Sequence, residues 1–382
     1  MSASEETDRP LSVVLAGGGT AGHVNPLLAT AQALQERLPD VRIQVLGTAE
    51  GLESRLVPER GLPMTVVPRT PFPRRPGAAA LRFPGGLSKA ISTSRRAVRE
   101  AQADVVVGFG GYVASPAYLA ARLERVPVVI HEQNARAGLA NRMGARLGAT
   151  VATTFASTTL PDAVRVGLPL RPQIRDLVQN LAGAREDGFA HFGLEPGRPT
   201  LLIFGGSLGA QSLNVAAAGA AADLLAAGVQ VLHLTGQGKQ VDVSGEPDPT
   251  TGAAYLQLEY SDRMDLAYAV ADLALCRAGA GTVSELAAVG LPAIYVPLPI
   301  GNGEQRLNAA DVVEAGGGRL VDDADITPAY LRDEVVPLIT DAEQLTAMAA
   351  AAAGEGERDA ADRLVDLILA AAKRHTGEGA ER

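Results

Sequence analysis

A glycine-rich turn follows the first apolar run of the chain and ends in a histidine. The stretch LAGGGTAGHVNP, residues 15–26, has the spacing G-x-G-x-x-G at Gly17, Gly19 and Gly22, directly after LSVVLA. Such a turn presents backbone N–H groups and the positive end of a helix dipole, here of a helix expected from about Asn25. The turn therefore predicts a site for a phosphate or a sugar.

A dinucleotide is not the ligand that the surrounding residues favour. A dinucleotide-binding turn is normally followed by an acidic residue at the end of the second strand, which holds a ribose. In VRIQVLGTAE, the second apolar run with the residues that follow it, Gly47 and Thr48 occupy the strand end, and the first acidic residue, Glu50, comes too far along the chain. The residue entering the helix is His23, which at the mouth of a cleft favours acid–base chemistry. A structural or capping histidine is the alternative.

Polar side chains follow two later apolar runs. HEQN, residues 131–134, comes directly after VPVVI, and GFGGYVASP, residues 108–116, ends the preceding run. Both segments are expected at the carboxyl edge of a sheet, where Glu132 is a second candidate base. A plain loop at HEQN and ordinary turn chemistry at the glycines are the alternatives.

The second half of the chain repeats the order of strand, glycine turn and helix. FGGSLGAQ, residues 204–211, places Ser207 beside N–H groups suited to a phosphate. CRAGAGTVSELAAVGLP, residues 276–292, adds a helix whose first turn is predicted to hold Thr282, Ser284 and Glu285. Glu285 is suited to the two hydroxyls of a ribose, and helix capping or dipole compensation is the alternative.

Short runs rich in Val and Ile alternate with longer helical patterns along the whole chain. They are LSVVLA, VRIQVLG, ADVVVGF, VPVVIHE, TLLIFG, VQVLHLT, LALC and PAIYVPL. Runs that are apolar on both faces and separated by helices predict parallel sheets covered on both sides. The predicted fold class is α/β, with two Rossmann-like, doubly wound domains that face a cleft.

Domain boundaries are predicted from composition. A polar, acidic tail over residues 1–10 is expected to be disordered, followed by a first domain over 11–168 and a second over 169–355. The boundary lies near VGLPLRPQI, 166–174, where prolines and a glycine separate a strand from an amphipathic helix. A last helix, about 359–373, is expected to pack back on the first domain.

Composition excludes several kinds of site. The single cysteine, Cys276, rules out a disulfide framework and a Cys-rich zinc site, and its apolar surroundings predict a core residue. No histidine pairs have ligand spacing and no Walker A sequence occurs, so neither a metal nor a cofactor is predicted. No uninterrupted apolar run of about 18 residues and no secretory signal are present, so no membrane span is expected.

Taken together and in order, these motifs resemble the MurG family of bacterial glycosyltransferases, family 28. The matching segments are GGGTAGHVNPLLA, GFGGYVASPA, HEQNARAGLANR, VGLPLR, FGGSLGAQSLN, CRAGAGTVSELAAVGLPAIYVPLP and EQRLNA. The resemblance implies a GT-B fold and an inverting, metal-independent transfer of N-acetylglucosamine from UDP-N-acetylglucosamine. The implied acceptor is the 4-hydroxyl of the N-acetylmuramoyl sugar of lipid I, giving lipid II for peptidoglycan synthesis.

The resemblance also implies roles for individual residues. Donor contacts fall on Thr20, Ala21, Gly22, Asn134, Arg171, Ser207 and Gln305, with Thr282 and Val283 at the nucleotide and Glu285 on its ribose. His23 is the first candidate for the general base and Glu132 the second. The sequence departs from the family at Ala21, where many members have glycine, and in PIGNGEQ, which replaces a more basic segment in some relatives.

A lipid-linked acceptor would explain why positive charge is concentrated in one segment of the chain. The net charge is −9, yet residues 69–99 hold eight basic residues and no acidic one. Basic and apolar side chains together predict attachment to an anionic membrane surface, at the cytoplasmic face. The predicted patch is Phe72, Arg74, Arg75, Leu81, Arg82, Phe83 and Lys89, and a solvated helix face is the alternative. Nucleic acid is not a predicted partner, because no nucleic-acid-binding module is recognisable.

Three rival functions share parts of this pattern. A transferase of the same fold could act on a diacylglycerol or a small aglycone, and only acceptor assays separate it. A nucleotide-sugar epimerase would need neither a lipid nor the basic patch. A sugar-nucleotide sensor would have lost catalysis, which the presence of His23, Glu132 and Glu285 disfavours.

Overall fold

The chain forms two compact units in a computed structural model, each described here by itself. The structure describes residues 9–70, 78–206, 208–300 and 302–380, without the side chains of 78–81 and 375–380. Unit 1 comprises Met1–Arg171 and Asp359–Arg382, and unit 2 comprises Pro172–Arg358.

The described residues of unit 1 contain seven strands. They are β1 (Ser12–Ala16), β2 (Arg42–Gly47), β3 (Met64–Val66), β4 (Val105–Gly108), β5 (Val128–Glu132), β6 (Thr150–Thr153) and β7 (Val164–Arg165). Its helices are α1 (Ala21–Arg37), α2 (Glu53–Glu59), α3 (Ala78–Glu100), α4 (Ala114–Glu124), α5 (Leu139–Arg146) and, at the end of the chain, α17 (Ala360–Ala380).

The sheet of unit 1 is parallel throughout and doubly wound. Its strand order is β3-β2-β1-β4-β5-β6-β7, so the direction of winding reverses between β1 and β4. These central strands are buried on both faces, as their runs of Val, Ile and Leu require. Leu364, Val365 and Ile368 of α17 join the core formed by α1 and the sheet.

Six strands are found in the described part of unit 2. They are β8 (Thr200–Phe204), β9 (Gln230–Leu234), β10 (Tyr255–Leu258), β11 (Leu273–Cys276), β12 (Ala293–Tyr295) and β13 (Gly318–Leu320). Its helices are α6 (Pro172–Gln179), α7 (Leu181–Phe192), α8 (Gln211–Gly219), α9 (Ala221–Ala226), α10 (Met264–Val270), α11 (Ala280–Val289), α12 (Glu304–Asn308), α13 (Ala310–Glu314), α14 (Pro328–Tyr330), α15 (Val336–Thr340) and α16 (Ala342–Glu355). The segment Leu331–Val335 between α14 and α15 is a π-helix.

The second sheet repeats the topology of the first. Its order is β10-β9-β8-β11-β12-β13, all parallel, with the reversal between β8 and β11. Cys276, the last residue of β11, is fully buried. The predicted α/β class with two doubly wound parallel sheets is confirmed.

All eight apolar runs identified in the sequence are strands. Five further strands were not predicted: β3, β6, β7, β10 and β13. All five are short; β3, β7, β10 and β13 are the edge strands of the two sheets, and β6 lies next to the edge strand β7. Residues 1–8 of the predicted disordered tail lie outside the described residues. Its next residue, Arg9, forms an ion pair with Asp104 and donates to the carbonyl oxygen of Gln102 at 3.2 Å.

Candidate functional site

The carboxyl edge of the unit 1 sheet carries the two glycine turns that the sequence singled out. They follow β1 and β4, the strands between which the winding reverses. The two turns touch, since a methyl group at Gly111 would lie 2.6 Å from the carbonyl oxygen of Gly18. With a φ of +78°, Gly111 also has a backbone that favours glycine. The turns together form one backbone surface at the place where doubly wound sheets bind ligands.

His23 lies in the first turn of α1, which begins at Ala21 and therefore four residues earlier than predicted. The carbonyl oxygen of Thr20 starts the helix by accepting the N–H groups of His23 and Val24, each at 3.1 Å. The Thr20 hydroxyl lies 3.2 Å from Nδ1 of the half-buried imidazole. Nε2 of His23 faces the second turn, 3.2 Å from where a Cβ at Gly110 would be.

Glu132 ends β5 with a carboxylate that is almost fully buried. Oε1 accepts the N–H of Asn134 at 3.0 Å, and Oε2 accepts the N–H of Gly138 and the Nδ2 of Asn141, each at 2.9 Å. Burial raises the pKa of Glu132, while hydrogen bonds from the same three residues oppose this rise. The carboxylate therefore organises the loop and helix that follow its own strand.

Asn141 connects Glu132 to the turn that faces His23. Its Oδ1 accepts the hydroxyl of the buried Tyr118 at 2.7 Å, which orients the amide so that Nδ2 points to Glu132. The same Nδ2 lies 3.6 Å from where a Cβ at Gly110 would be. His23 and the Asn141 amide that donates to Glu132 thus both lie beside Gly110.

The predicted donor contacts of unit 1 are accessible to solvent. Thr20, Ala21 and Gly22 are exposed at the start of α1, and Asn134 is half-buried in the loop after β5. Arg171 is half-buried at the last position of the first segment of unit 1. Their contact with a donor remains a prediction.

Unit 2 presents a similar glycine turn after β8. Ser207, the predicted phosphate contact, lies outside the described residues. Gly209 has a φ of +65°, and a methyl group there would overlap the carbonyl oxygen of Thr235. Asn214 of α8 donates to that same carbonyl at 2.9 Å, and Nε2 of the buried His233 lies 3.1 Å from Oδ1 of Asn214. A buried polar network therefore supports this turn.

The predicted position of Glu285 in the first turn of its helix is wrong. Helix α11 begins at Ala280, so Glu285 is its sixth residue and cannot form a capping box with the N-cap residue Gly279. The side chain is largely buried, and its Oε2 accepts the hydroxyl of Tyr268 at 3.0 Å. The helix begins directly after Gly279, and therefore earlier in the chain than the capping interpretation assumed.

The other predicted donor contacts of unit 2 lie near the same sheet edge. Thr282 is half-buried in the first turn of α11, whereas Val283 is buried and donates its N–H to Gly279 at 3.0 Å. Gln305 is the second residue of α12, and its Oε1 accepts the N–H of Leu298 at 2.9 Å.

Three residues that the sequence analysis did not single out support these sites. Asn141 orients Glu132, Tyr268 contacts Glu285, and Glu53 binds the N–H of Gly19 at 2.8 Å. The sequence offered little signal for Glu53, because an acidic residue after the second strand was considered only as the mark of a dinucleotide-binding turn, over Gly47 to Glu50. Glu53 lies further along the chain, at the start of α2.

The predicted membrane patch is only partly described. Phe72, Arg74 and Arg75 lie outside the described residues, and only the backbone of Leu81 is described. On α3, Arg82 and Lys89 are exposed and Phe83 is half-buried. Arg95, a basic residue further along the same stretch, forms an ion pair with Glu124 of α4.

In the part of the chain that the structure describes, no three His, Cys, Asp or Glu side chains gather as a metal site would require. Among the same residues, no helix combines the length and the apolar character that crossing a membrane takes.

The chain is similar to glycosyltransferases over nearly its whole length. The glycosyltransferase family 28 N-terminal domain matches residues 13–153 and the C-terminal domain of that family matches 200–364. A UDP-N-acetylglucosamine--N-acetylmuramyl-(pentapeptide) pyrophosphoryl-undecaprenol N-acetylglucosamine transferase from a Nocardioides species is 54% identical over 94% of this chain and 98% of its own. The Paenarthrobacter aurescens protein of that name is 52% identical, over 96% and 98%.

A solved structure agrees with these matches. The crystal structure of Acinetobacter baumannii MurG superposes with a TM-score of 0.76, at 32% identity, covering 94% of this chain and 99% of that one. The predicted GT-B class of two Rossmann-like units is confirmed. The chain belongs to glycosyltransferase family 28.

Proposed function

We propose that this enzyme transfers N-acetylglucosamine from UDP-N-acetylglucosamine to the 4-hydroxyl of the N-acetylmuramoyl sugar of a lipid-linked acceptor. The acceptor oxygen forms a bond to the anomeric carbon, the bond to UDP breaks, and the configuration inverts. The observation that carries the proposal is the placement of His23 at the sheet edge, opposite Gly110, in a chain of this family. The names of its relatives give UDP-N-acetylglucosamine and N-acetylmuramyl-(pentapeptide) pyrophosphoryl-undecaprenol as the substrates of those proteins.

Unit 2 is proposed to bind the donor at the ends of β8 and β11. Glu285, held by the hydroxyl of Tyr268, is suited to the ribose diol. Helix N-termini and the predicted contacts Ser207, Arg171 and Gln305 would stabilise the charge that develops on the departing diphosphate, an electrostatic effect worth a few kcal/mol. No step requires a metal ion in this scheme.

We assign the general base to His23 and not to Glu132. In the tautomer in which Nδ1 donates to the Thr20 hydroxyl, 3.2 Å away, Nε2 is the basic atom, and it lies beside Gly110. Nε2 would take the proton of the acceptor hydroxyl while the electron pair of the broken bond goes to the diphosphate oxygen. The N–H groups of Asn134 and Gly138 and the amide of Asn141 stabilise the Glu132 anion. They belong to the loop and helix that follow its strand, which supports a structural role.

A transfer assay tests both the reaction and the base. Radiolabelled UDP-N-acetylglucosamine is incubated with a lipid I analogue, with diacylglycerol or alone, and label in lipid II is the expected result. His23→Ala is expected to lower kcat by about 10²–10⁴-fold while the donor affinity changes little. Label in the diacylglycerol product, or an epimerised sugar without acceptor, would favour the rival functions. Donor binding without turnover would favour a sensor.

We further propose that α3 and the segment before it hold the enzyme at an anionic, cytoplasmic membrane surface. The support is the absence of acidic residues from 69–99 and the exposure of Arg82 and Lys89 beside the half-buried Phe83. Each basic side chain near such a surface contributes about 1 kcal/mol.

Sedimentation with vesicles tests the membrane proposal. Arg82→Glu and Lys89→Glu should each weaken binding to phosphatidylglycerol vesicles by at least about fivefold, and phosphatidylcholine vesicles should bind neither variant nor wild type. Arg60→Glu, at an exposed position after α2, is the matched control. Equal binding of all variants would exclude this patch.

A further inference from the structure

The first glycine turn of unit 1 is already occupied by a carboxylate of the protein itself. Glu53, the first residue of α2, is fully buried. Its Oε2 accepts the N–H of Gly19 at 2.8 Å, and its Oε1 accepts the N–H and the hydroxyl of Thr48 at 2.8 and 2.7 Å. Burial by itself raises the pKa of Glu53, but these hydrogen bonds hold it below its usual value. The side chain is therefore an anion inside the turn.

The surrounding glycines are shaped around this carboxylate. Methyl groups placed at Gly18, Gly47 or Gly51 would each overlap the side chain of Glu53. Gly18 lies in the turn after β1, Gly47 ends β2 and Gly51 lies in the turn after β2, so one carboxylate joins the carboxyl ends of two strands. A glycine turn that elsewhere would receive a phosphate is thus closed around an internal anion.

The contacts continue from Glu53 to the candidate base. Gly18 packs on Gly111, where a Cβ would lie only 2.6 Å from the Gly18 carbonyl oxygen, and a Cβ at the neighbouring Gly110 would lie 3.2 Å from Nε2 of His23. We propose that Glu53 is a positioning residue for sugar transfer, whose carboxylate fixes the Gly17–Gly19 turn and thereby the backbone surface on which His23 and the acceptor hydroxyl meet. This inference rests on the proposed function, because it acts through His23.

In this arrangement the N–H of Gly19 is bound by Glu53 of the protein itself and does not bind the donor. A second anion at Gly19 would lie against the Glu53 carboxylate, where like charges repel. The first turn is thereby suited to an uncharged hydroxyl, and phosphate contacts fall to unit 2 and to the start of α1.

Glu53→Gln tests this role, because glutamine keeps the size of the side chain and removes its charge. With the amide oxygen kept on Thr48, the amide nitrogen faces the N–H of Gly19, two donors that repel each other. Misplacement of a catalytic group by about 1 Å costs up to about 100-fold. We expect kcat to fall about 10- to 100-fold, with the KM for UDP-N-acetylglucosamine within about threefold of wild type. Glu59→Gln, at the exposed end of the same helix, is the matched control and should have wild-type kinetics.

A double variant separates positioning of His23 from a general structural role. If Glu53 acts through His23, His23→Ala combined with Glu53→Gln should have the same kcat as His23→Ala alone. A loss equal to the product of the single losses, or wild-type kcat for Glu53→Gln, would overturn the inference. Should Glu53→Gln fail to fold, Thr48→Val removes one hydrogen bond to the same carboxylate and must still lower kcat. Wild-type turnover of His23→Ala would instead contradict the proposed base.

Discussion

Replacing Glu132 by glutamine tests whether this carboxylate acts as a general base or stabilises the loop that follows β5. The amide oxygen can keep the two donors at the Oε2 position, Gly138 and Asn141, and then the amide nitrogen faces the N–H of Asn134. One buried donor is left without an acceptor, which costs about 1–3 kcal/mol. For a unit of this size 1 kcal/mol corresponds to about 2–4 °C, so Tm should fall by about 2–12 °C.

Thermal unfolding and turnover distinguish the two roles when measured on the same sample. Well below the unfolding transition, we expect Glu132→Gln to retain kcat within about tenfold, whereas removal of a general base costs about 10²–10⁴-fold. His23→Ala should behave in the opposite way, with a wild-type Tm and little turnover. Glu100→Gln, on the exposed end of α3, is the control for loss of a carboxylate. A Glu132→Gln enzyme with a wild-type Tm and a kcat at least about 100-fold lower would refute the reasoning.

Further substitutions and pH changes test other parts of the structure. Tyr268→Phe removes the hydrogen bond to Glu285 and should raise the donor KM about five- to tenfold at unchanged kcat in steady-state assays; an unchanged KM would show that the bond does not serve donor binding. Gly209→Ala should lower the Tm of unit 2, since its methyl group overlaps a facing carbonyl oxygen at a φ of +65°. Burial lowers the pKa of His131 and of His233 from 6.5 to about 4, so between these values the unfolded chain binds protons that the folded chain does not. The free energy of unfolding should therefore decrease as the pH falls from 6.5 to 4, by at most about 1.4 kcal/mol per pH unit for each histidine. Urea titrations at several pH values should show that this free energy decreases less with falling pH in His131→Gln than in the wild type.

The predicted strands and the observed ones differ for a physical reason. Central strands such as β1 and β11 are buried on both faces, so each is a continuous apolar run that can be read from the sequence. Strands such as β3 and β13 have three residues each at an edge, and these are partly accessible. Their pairing depends on a neighbour elsewhere in the chain, which composition does not reveal.

Helix starts were predicted less well than strand ends. Helix α1 begins at Ala21 because the carbonyl oxygen of Thr20 accepts two N–H groups, although Gly22 and Pro26 are poor helix formers. Glu285 falls in the second turn of α11 for a comparable reason, since the helix starts at Ala280 directly after the glycine turn. In both helices the shift moves a functional side chain by about one turn relative to its prediction.

Local order in the sequence was enough to determine the fold class and the edge of each sheet at which chemistry is expected, because strand periodicity and glycine turns are properties of neighbouring residues. The tertiary structure alone decided how the acidic side chains are used. Glu53 meets Gly19 across 34 positions of the chain, Glu132 accepts hydrogen bonds from the loop and the helix that follow its strand, and Glu285 meets Tyr268 from another helix. A carboxylate's role depends on the donors that surround it, and those donors are brought together only when distant segments pack.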